Sequence, residues 1–152
     1  MHKINFVCHG NICRSPMAEY LFKDMVKKAG REQDFSIVST AVSSEEIWNG
    51  IGNPVYPPVK KLLASLGISC EEKRAKQLTK ADGETYDLLL CMDDSNVERA
   101  KRIVGEKNAH KCQKLLSFTG ENRSVADPWY TRDFTACYQD IMHGLTALLK
   151  SL

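Results

Sequence analysis

The sequence predicts an α/β protein: a doubly wound, four-stranded parallel sheet with helices on both faces. Short apolar segments typical of buried strands alternate along the chain with amphipathic segments of helical period. The segment YDLLLCM at residues 86–92 has a continuous apolar core, as in strands that are buried on both faces of a sheet. With 152 residues and no linker, repeat or low-complexity segment, the chain is predicted to form one domain, 1–152.

The first strand and first helix have clear boundaries in the sequence. Residues 3–8 are apolar and β-branched enough for a short buried strand. The helix is expected to start at Ser15-Pro16, because serine can cap a helix and proline is favoured in its first turn. It should end at Gly30.

The remaining elements follow from composition and period. They are a strand at 35–40, a loop at 43–58, a helix at 59–66, the strand at 86–92, a helix from the cap Asp93-Asp94-Ser95-Asn96 to Gly105, a strand at 114–118, a loop at 120–131 and a helix at 133–152.

Composition excludes several classes of protein. A net charge of +2 is too small to indicate a nucleic-acid or membrane partner. No segment approaches the roughly 20 apolar residues of a membrane span, and the start is too short and polar for a signal peptide. We therefore expect a cytoplasmic protein that binds neither nucleic acid nor membrane.

The six cysteines contain no Cys-x-x-Cys pair and no Cys/His set with zinc spacing. In a cytoplasmic protein they are expected to be thiols rather than disulfides. Four of them are predicted to be small buried hydrophobic residues: Cys70, Cys91, Cys112 and Cys137.

The segment CHGNICRS, residues 8–15, joins the first strand to the first helix and is called the 8–15 loop below. In such folds ligands bind beyond the carboxyl ends of the strands, where helix N-termini attract anions. Gly10 allows a tight turn, and Arg14 can clamp two oxygens of a phosphate. The loop is therefore predicted to bind a phosphate group.

Cys8 is predicted to lie at the base of this loop. Helix N-termini and nearby arginines stabilise thiolates, so the sulfur could attack a phosphorus atom held above it. Ser15 could donate a hydrogen bond to that sulfur and help it leave in a second step. A tight turn with a buried Cys and a surface Arg is the simpler alternative, which the strand-before, helix-after context disfavours.

The segment CHGNICRSPMAEYLF resembles the phosphate-binding loop of the low-molecular-weight protein tyrosine phosphatases. The similarity extends through YDLLLCMDDSN and the ADPWY segment, over essentially the whole chain. It implies a four-stranded parallel sheet, a cysteinyl-phosphate mechanism and a phosphotyrosine protein as substrate. No cofactor or metal is expected, since the amides and Arg14 supply the stabilising charge. We expect a monomer or weak dimer.

The resemblance also implies roles for single residues. Asp127, followed by Pro128, would be the general acid, because neighbouring negative charges favour a protonated carboxyl. Asn11 would brace the loop with Ser39 as a partner, and Asp93 would lie near Arg14. Trp48 would form one wall of a slot for a phenyl ring, with Trp129 and Tyr130 opposite, or would be an ordinary surface aromatic residue in a long loop. The residues expected within or at the rim of the loop are His9, Gly10, Ile12 and Cys13.

Three features give more specific expectations. Cys13 would be a resolving thiol that captures oxidised Cys8 as a disulfide. His9 is expected to face solvent at the rim. Lys73 lies near where several relatives carry a histidine that supports the loop asparagine, so it must replace that contact if the loop is to be rigid.

Three other functions remain open at this point. An arsenate reductase needs closely spaced downstream cysteines, which Cys70 and Cys91 do not provide. A protein-arginine phosphatase is expected to carry Thr in place of Ile12. A non-catalytic phosphoprotein-binding module would be expected to lack Cys8 or Asp127.

Overall fold

A computed structural model describes residues 1–152 and contains two sheets. The strands are β1 (His2–Cys8), β2 (Phe35–Ala41), β3 (Ile47–Trp48), β4 (Ile51–Gly52), β5 (Leu88–Cys91) and β6 (Cys112–Lys114). The main sheet has four parallel strands, as predicted, in the order β2-β1-β5-β6, and β3 and β4 form a small antiparallel hairpin.

Six α-helices and three short 3₁₀ helices connect the strands. The α-helices are α1 (Arg14–Lys28), α2 (Pro57–Ser65), α3 (Lys80–Thr85), α4 (Asp94–Val104), α5 (Pro128–Thr131) and α6 (Phe134–Ser151). The 3₁₀ helices are Glu32–Asp34, Glu106–Lys111 and Leu115–Thr119. No helix combines the length and the apolar character that crossing a membrane requires.

The main sheet is buried on both faces. Successive residues of β1 point to opposite faces of the sheet and belong to different clusters. Phe6 packs in a cluster of 24 buried residues with α1, α2 and α6, while Val7 packs in a cluster of eight with α4. Leu89 and Leu90 of β5 divide between the two clusters in the same way. This two-sided burial explains the uninterrupted apolar segment, and it confirms the predicted doubly wound sheet.

The predicted strand at 114–118 is wrong. The fourth strand ends at Lys114, and the following residues form the 3₁₀ helix Leu115–Thr119. Leu115 and Leu116 are both buried in the larger cluster. A strand would place them on opposite faces of the sheet, whereas a turn of helix lets both enter the same core.

The first helix starts earlier than predicted. Cys13 occupies the N-cap position and Arg14 begins the helix, so Ser15 is not the cap. Because its hydroxyl is free of that role, it contacts groups of the 8–15 loop instead. The loop predicted at 43–58 contains the β3–β4 hairpin, and the loop at 120–131 contains α5.

Gly144 in α6 packs against Leu115, and a Cβ at this position would lie 2.7 Å from Leu115 Cγ. A Gly→Ala change in a helix ordinarily stabilises by about 1 kcal/mol, but overpacking a core costs about 1–3 kcal/mol. We expect Gly144→Ala to lower the free energy of unfolding in urea by up to about 2 kcal/mol. The control Thr146→Ala, at an exposed position of the same helix, should stay near wild type. A stabilised Gly144→Ala protein would contradict this packing.

Candidate active site

The 8–15 loop curls at the carboxyl edge of the main sheet, between β1 and α1. The carbonyl groups of Cys8, His9 and Ile12 accept hydrogen bonds of 3.0, 3.1 and 2.8 Å from backbone amides of the segments after β2 and before α2. The amides of residues 9, 10, 12 and 13 have no backbone acceptor. Since its carbonyls are turned to neighbouring segments, the loop offers free N–H donors to an anion.

Cys8 lies at the base of the loop, and its sulfur is surrounded by hydrogen-bonding groups. Its Sγ lies 2.9 Å from Ser15 Oγ, and the backbone N–H of Asn11 donates to it at 3.3 Å. The side chain is buried but lines the cavity described below. Donors at these distances stabilise a negatively charged sulfur.

Asn11 holds the loop through all its side-chain groups. Its Nδ2 donates to Ser15 Oγ at 2.7 Å and to Ser39 Oγ at 2.9 Å, while its Oδ1 accepts from Lys76 N at 3.0 Å. The residue has φ 60°, in the left-handed region that asparagine tolerates better than most residues. Since Ser15 Oγ accepts from Asn11, its own hydrogen is free to point to the sulfur of Cys8.

Glu19 is a buried carboxylate behind this network, and the sequence alone did not indicate it. Its Oε1 accepts from Ser39 Oγ at 2.6 Å, and its Oε2 accepts from Lys23 Nζ at 2.6 Å. An unbroken series of hydrogen bonds therefore runs from Glu19 through Ser39, Asn11 and Ser15 to the sulfur of Cys8.

Lys73 supports Asn11 through Ser39 rather than by direct contact. Its Nζ donates to the backbone carbonyl of Ser39 at 2.8 Å and lies 3.5 Å from Glu19 Oε1. Burial lowers the pKa of Lys73, and the attraction of Glu19 opposes that effect. The residue thus holds the serine to which Asn11 is bonded.

Arg14 is almost completely buried under the loop, with its guanidinium fixed by three groups. Its Nη1 donates to Asp93 Oδ2 and to the carbonyl of Val125, both at 2.8 Å, and its Nη2 lies 3.6 Å from Asp127 Oδ2. Burial acts to lower the pKa of Arg14, but the negative charges of Cys8, Asp93 and Asp127 outweigh it and raise the pKa. Asp93 also caps α4, since its Oδ1 accepts from Asn96 N.

Asp127 lies across the cavity from the loop at the start of α5. Its Oδ1 accepts from Trp129 N at 3.0 Å and caps this short helix, and Pro128 follows at the first helical position. The other carboxylate oxygen is the one near Arg14. The cap therefore orients the carboxyl group so that one oxygen remains available on the cavity side.

These groups line a cavity of about 150 Å³ with Cys8 among its lining residues. Ile12, Trp129 and Tyr130 provide apolar and aromatic surface, with Tyr130 82% exposed. The tilted ring of Tyr56 supports Trp129 at a centroid distance of 4.8 Å. The resulting opening, an anion-binding base beneath aromatic rings, matches a phosphate on a flat ring.

Trp48 departs from the predicted arrangement. It lies on the β3–β4 hairpin, is 71% exposed, and does not line the cavity. The side opposite the aromatic rings carries Glu45 and Glu46 instead. Trp48 lies in a segment that is predicted to be a loop, but this segment forms the β3–β4 hairpin, which leaves Trp48 outside the cavity lining.

His9 is expected to face solvent, but it bridges two charged side chains at the rim of the cavity. Its Nε2 lies 2.9 Å from Glu45 Oε2, and its Nδ1 lies 3.1 Å from Arg99 Nη1. Arginine can only donate, so Nδ1 accepts and Nε2 carries the hydrogen that Glu45 accepts. Next to it, a Cβ on Gly10 would lie 3.1 Å from Glu46 Cγ, so the rim has little room for a side chain there.

All six cysteines are free thiols, and all are buried. Burial raises the pKa of Cys13, and the nearby sulfurs of Cys8 and Cys137 raise it further. Burial also raises the pKa of Cys137, to about 12. Cys137 belongs to the same buried cluster as Cys8 and Cys13, which spacing in the sequence did not indicate.

No group of three or more His, Cys, Asp or Glu side chains is arranged to hold a metal ion.

Comparisons with known proteins agree on one family. The family model for low molecular weight phosphotyrosine protein phosphatases matches residues 3–152. The chain belongs to this family. Its members hydrolyse phosphotyrosine through a cysteinyl-phosphate intermediate, and this phosphatase does so as one of them.

The phosphatase matches its relatives over nearly their full length. It is 34% identical to the low molecular weight protein-tyrosine-phosphatase YfkJ of Bacillus subtilis, covering 100% of this chain and 96% of that protein. It is 37% identical to the low molecular weight phosphotyrosine protein phosphatase of Sus scrofa, covering 97% and 93%. The crystal structure of YfkJ superposes with a TM-score of 0.92, covering 99% of this chain and 94% of that one.

The hydrogen-bond series behind Cys8 can be tested at Ser39. Removing this hydroxyl with Ser39→Ala takes away one of the two acceptors of Asn11 Nδ2 and breaks the link to Glu19. We expect kcat for p-nitrophenyl phosphate to fall about tenfold or more, because Asn11, which directs the Ser15 hydroxyl, is held less firmly.

Thr40→Val is the matched control for this change. Thr40 is also buried on β2, but its hydroxyl donates to Asn5 Oδ1, away from the loop. Both variants should lose stability in urea, and only Ser39→Ala should lose kcat. Equal kcat values for the two variants would show that the series does not position the loop.

Proposed function

We propose that Cys8, Arg14 and Asp127 carry out the phosphotyrosine hydrolysis of this family in the present chain. The observation that carries the proposal is the position of Cys8 Sγ, within reach of Ser15 Oγ and Asn11 N and at the base of a loop with free amides. A thiolate held there would face the phosphorus of a phosphate bound by those amides. Residues 1–152 would act as one phosphatase domain.

In the first step the Cys8 thiolate attacks phosphorus and the bond to the tyrosine oxygen breaks. Protonated Asp127 gives its proton to that oxygen, so tyrosine leaves as a neutral phenol. The product is a phosphate covalently bonded to Cys8. Arg14 and the free amides hold the equatorial oxygens, whose charge spreads in the transition state.

In the second step water attacks the phosphorus and the sulfur leaves. The Asp127 carboxylate formed in the first step accepts a proton from that water. The Ser15 hydroxyl, kept directed to Cys8 by Asn11, stabilises the departing thiolate. Inorganic phosphate is released, and Asp127 is again protonated for the next substrate.

Asp93 and Asp127 have different parts in holding Arg14. The bonds to Asp93 and to the carbonyl of Val125 occupy Nη1 and fix the plane of the guanidinium. Nη2 faces Asp127 at the longer distance of 3.6 Å. We infer that a phosphate oxygen would displace this weaker contact, which releases the Asp127 carboxyl to take up its proton.

The aromatic rings and Ile12 select the leaving group. Trp129 and Tyr130 present flat surfaces above the loop, and Ile12 offers no hydrogen-bonding group to a guanidinium. A phosphoserine, with its short stem, would have to bring its peptide backbone down between these side chains. Phosphotyrosine reaches Cys8 with its ring in the opening.

We also propose a cytoplasmic location and a redox response. All six thiols are free in the structure, and attack by Cys8 requires a reduced sulfur, as a reducing compartment provides. The predicted monomer or weak dimer stays a prediction.

Peroxide would oxidise the Cys8 thiolate to a sulfenic acid. Cys13 would then attack that sulfur and form a disulfide, with the sulfenic oxygen leaving as water. Both side chains line the cavity, and both belong to the same buried cluster. Since burial keeps Cys13 protonated, this second step should need the loop to open.

The general acid is tested by Asp127→Asn, which keeps an oxygen to cap Trp129 N but has no acidic proton. For phenyl phosphate we expect kcat to fall about 10²–10⁴-fold, the usual range for general acid catalysis. For dinitrophenyl phosphate, whose leaving group needs no proton, the loss should be much smaller. Asp133→Asn, the corresponding cap change in α6, should leave both rates unchanged. Equal losses with both substrates would exclude Asp127 as the acid.

Chelators should not change the wild-type rate of hydrolysis.

Specificity is tested with one peptide sequence that carries phosphotyrosine, phosphoserine or phosphoarginine. We expect kcat/KM to be far higher for phosphotyrosine than for the other two, because only its ring fills the aromatic opening. Phosphate release should be measured at equal peptide concentrations. A preference for phosphoarginine, or equal rates on phosphoserine, would overturn the proposed leaving-group selection.

Redox control is tested by peroxide treatment followed by a thiol reductant. The wild type and Cys137→Ala should regain full activity, whereas Cys13→Ser should not, because its sulfenic acid proceeds to irreversible states. Mass spectrometry should find a Cys8–Cys13 bond, formed more slowly when phosphate is bound. A Cys8–Cys137 bond, or full recovery of activity by Cys13→Ser, would show that Cys13 is not the resolving thiol.

A further inference from the structure

A second concave surface continues from the active-site cavity, and we call it the α2 groove. Its volume is about 530 Å³, within the range of ligand-binding clefts. It shares three lining residues with the cavity: Ile12, Glu46 and Trp129. A molecule whose phosphorylated ring occupies the cavity would therefore extend into this groove without crossing a barrier.

The groove has both apolar and charged residues in its lining, and the charged ones are two lysines and two glutamates: Lys60, Lys61, Glu46 and Glu71. Pro54, Val55 and Pro57 line it beside the aromatic ring of Tyr56. Such a surface suits the side chains and backbone of an extended peptide.

Both lysines of the groove belong to α2, and they differ in their partners. Lys60 Nζ lies 2.9 Å from Glu71 Oε2, so its charge is neutralised within the protein. Lys61 also lines the groove, but it is exposed and forms no ion pair. Its ammonium group is thus the cation that the groove offers to a ligand.

We propose that the α2 groove binds the segment flanking phosphotyrosine in a protein substrate, and that Lys61 selects an acidic residue in that segment. This inference rests on the proposed function of the cavity. The occupant is an extended phosphopeptide with apolar residues next to phosphotyrosine and an Asp or Glu beyond them.

The spacing of that acidic residue follows from the geometry of the groove. Tyr56 touches the ring of Trp129 at the cavity rim, and Lys61 comes five positions later, about 7.5 Å along a helix. An extended peptide advances about 3.3 Å per residue. The acidic side chain should therefore lie two to four positions from phosphotyrosine, on the one side of it that enters the groove.

The test uses phosphotyrosine peptides with a single Asp or Lys at each of five positions on either side. For the wild type, we expect peptides with Asp at a position within that range to have a kcat/KM about two- to fivefold higher than peptides with Lys there. The difference should occur on one side of phosphotyrosine only. An effect of this size is typical of exposed ion pairs. The preference should shrink at high salt. Lys61→Glu should reverse it, so that Lys is favoured at the same position.

Two further variants separate the groove from general charge effects. Lys27→Glu is the matched control, because Lys27 is exposed, unpaired and at the opposite end of α1 from the loop. Ala64→Trp fills the groove and should raise KM for the peptides. All three variants should hydrolyse p-nitrophenyl phosphate, which is too small to enter the groove, at the wild-type rate.

The outcomes distinguish the two proposals. A peptide profile that Lys61→Glu does not change, or that Lys27→Glu changes as much, overturns the groove while p-nitrophenyl phosphate turnover still supports the active site. A wild type that hydrolyses neither substrate overturns the proposed function, and the groove assignment with it.

Discussion

The active site depends on the direction of a few peptide groups in the 8–15 loop. Three carbonyl groups of this loop are bonded to neighbouring segments, and this leaves its amides free on the side of the cavity. If the peptide groups were reversed, carbonyl oxygens would face the cavity and would repel an anion there. The loop can hold this form because β1 and α1 fix its two ends, and because Asn11 accepts a left-handed conformation between them.

The same constraint explains the buried charges behind the loop. A carboxylate such as Glu19 is costly to bury unless it is paired and hydrogen-bonded. Here Lys23 and Lys73 supply positive charge, and Ser39 supplies a hydroxyl hydrogen. The arrangement ties α1 to β2 and to the segment of Lys73, so the orientation of Asn11 follows from three parts of the chain at once. Arg14 is held in a comparable way by Asp93 and the carbonyl of Val125.

Local signals in the sequence predicted the parts of the fold that they control. The apolar segment at 86–92 and the glycines that end helices were sufficient for most of the main sheet and its connections. The hairpin of β3 and β4 has such a signal too, since Asn49 and Gly50 adopt positive φ in the turn between them. The short helix α3 has one in Thr79 and Asp82, which form a capping box. Neither element is among those predicted from the sequence, because each signal spans only a few residues.

Other features depend on contacts between distant residues and could not be predicted from local pattern. The 3₁₀ helix after β6 exists because Leu115 packs where Gly144 leaves space, 29 positions later in the chain. In the site, the loop motif indicated Cys8, Arg14 and their neighbours. Glu19 has the sequence context of an ordinary surface residue of a helix, and only the position of Ser39 on β2 shows that it is buried beside the loop.

The most direct test of this account is to find where phosphate is bonded during turnover. The phosphatase should be mixed with excess p-nitrophenyl phosphate, denatured within the first turnovers, and digested for mass spectrometry. The account predicts a burst of about one p-nitrophenol per active site and phosphate on Cys8. The Cys8→Ser variant should show neither the burst nor a phosphorylated cysteine. Phosphate on another residue during turnover, with Cys8 unmodified, would contradict the assignment of Cys8 as the nucleophile.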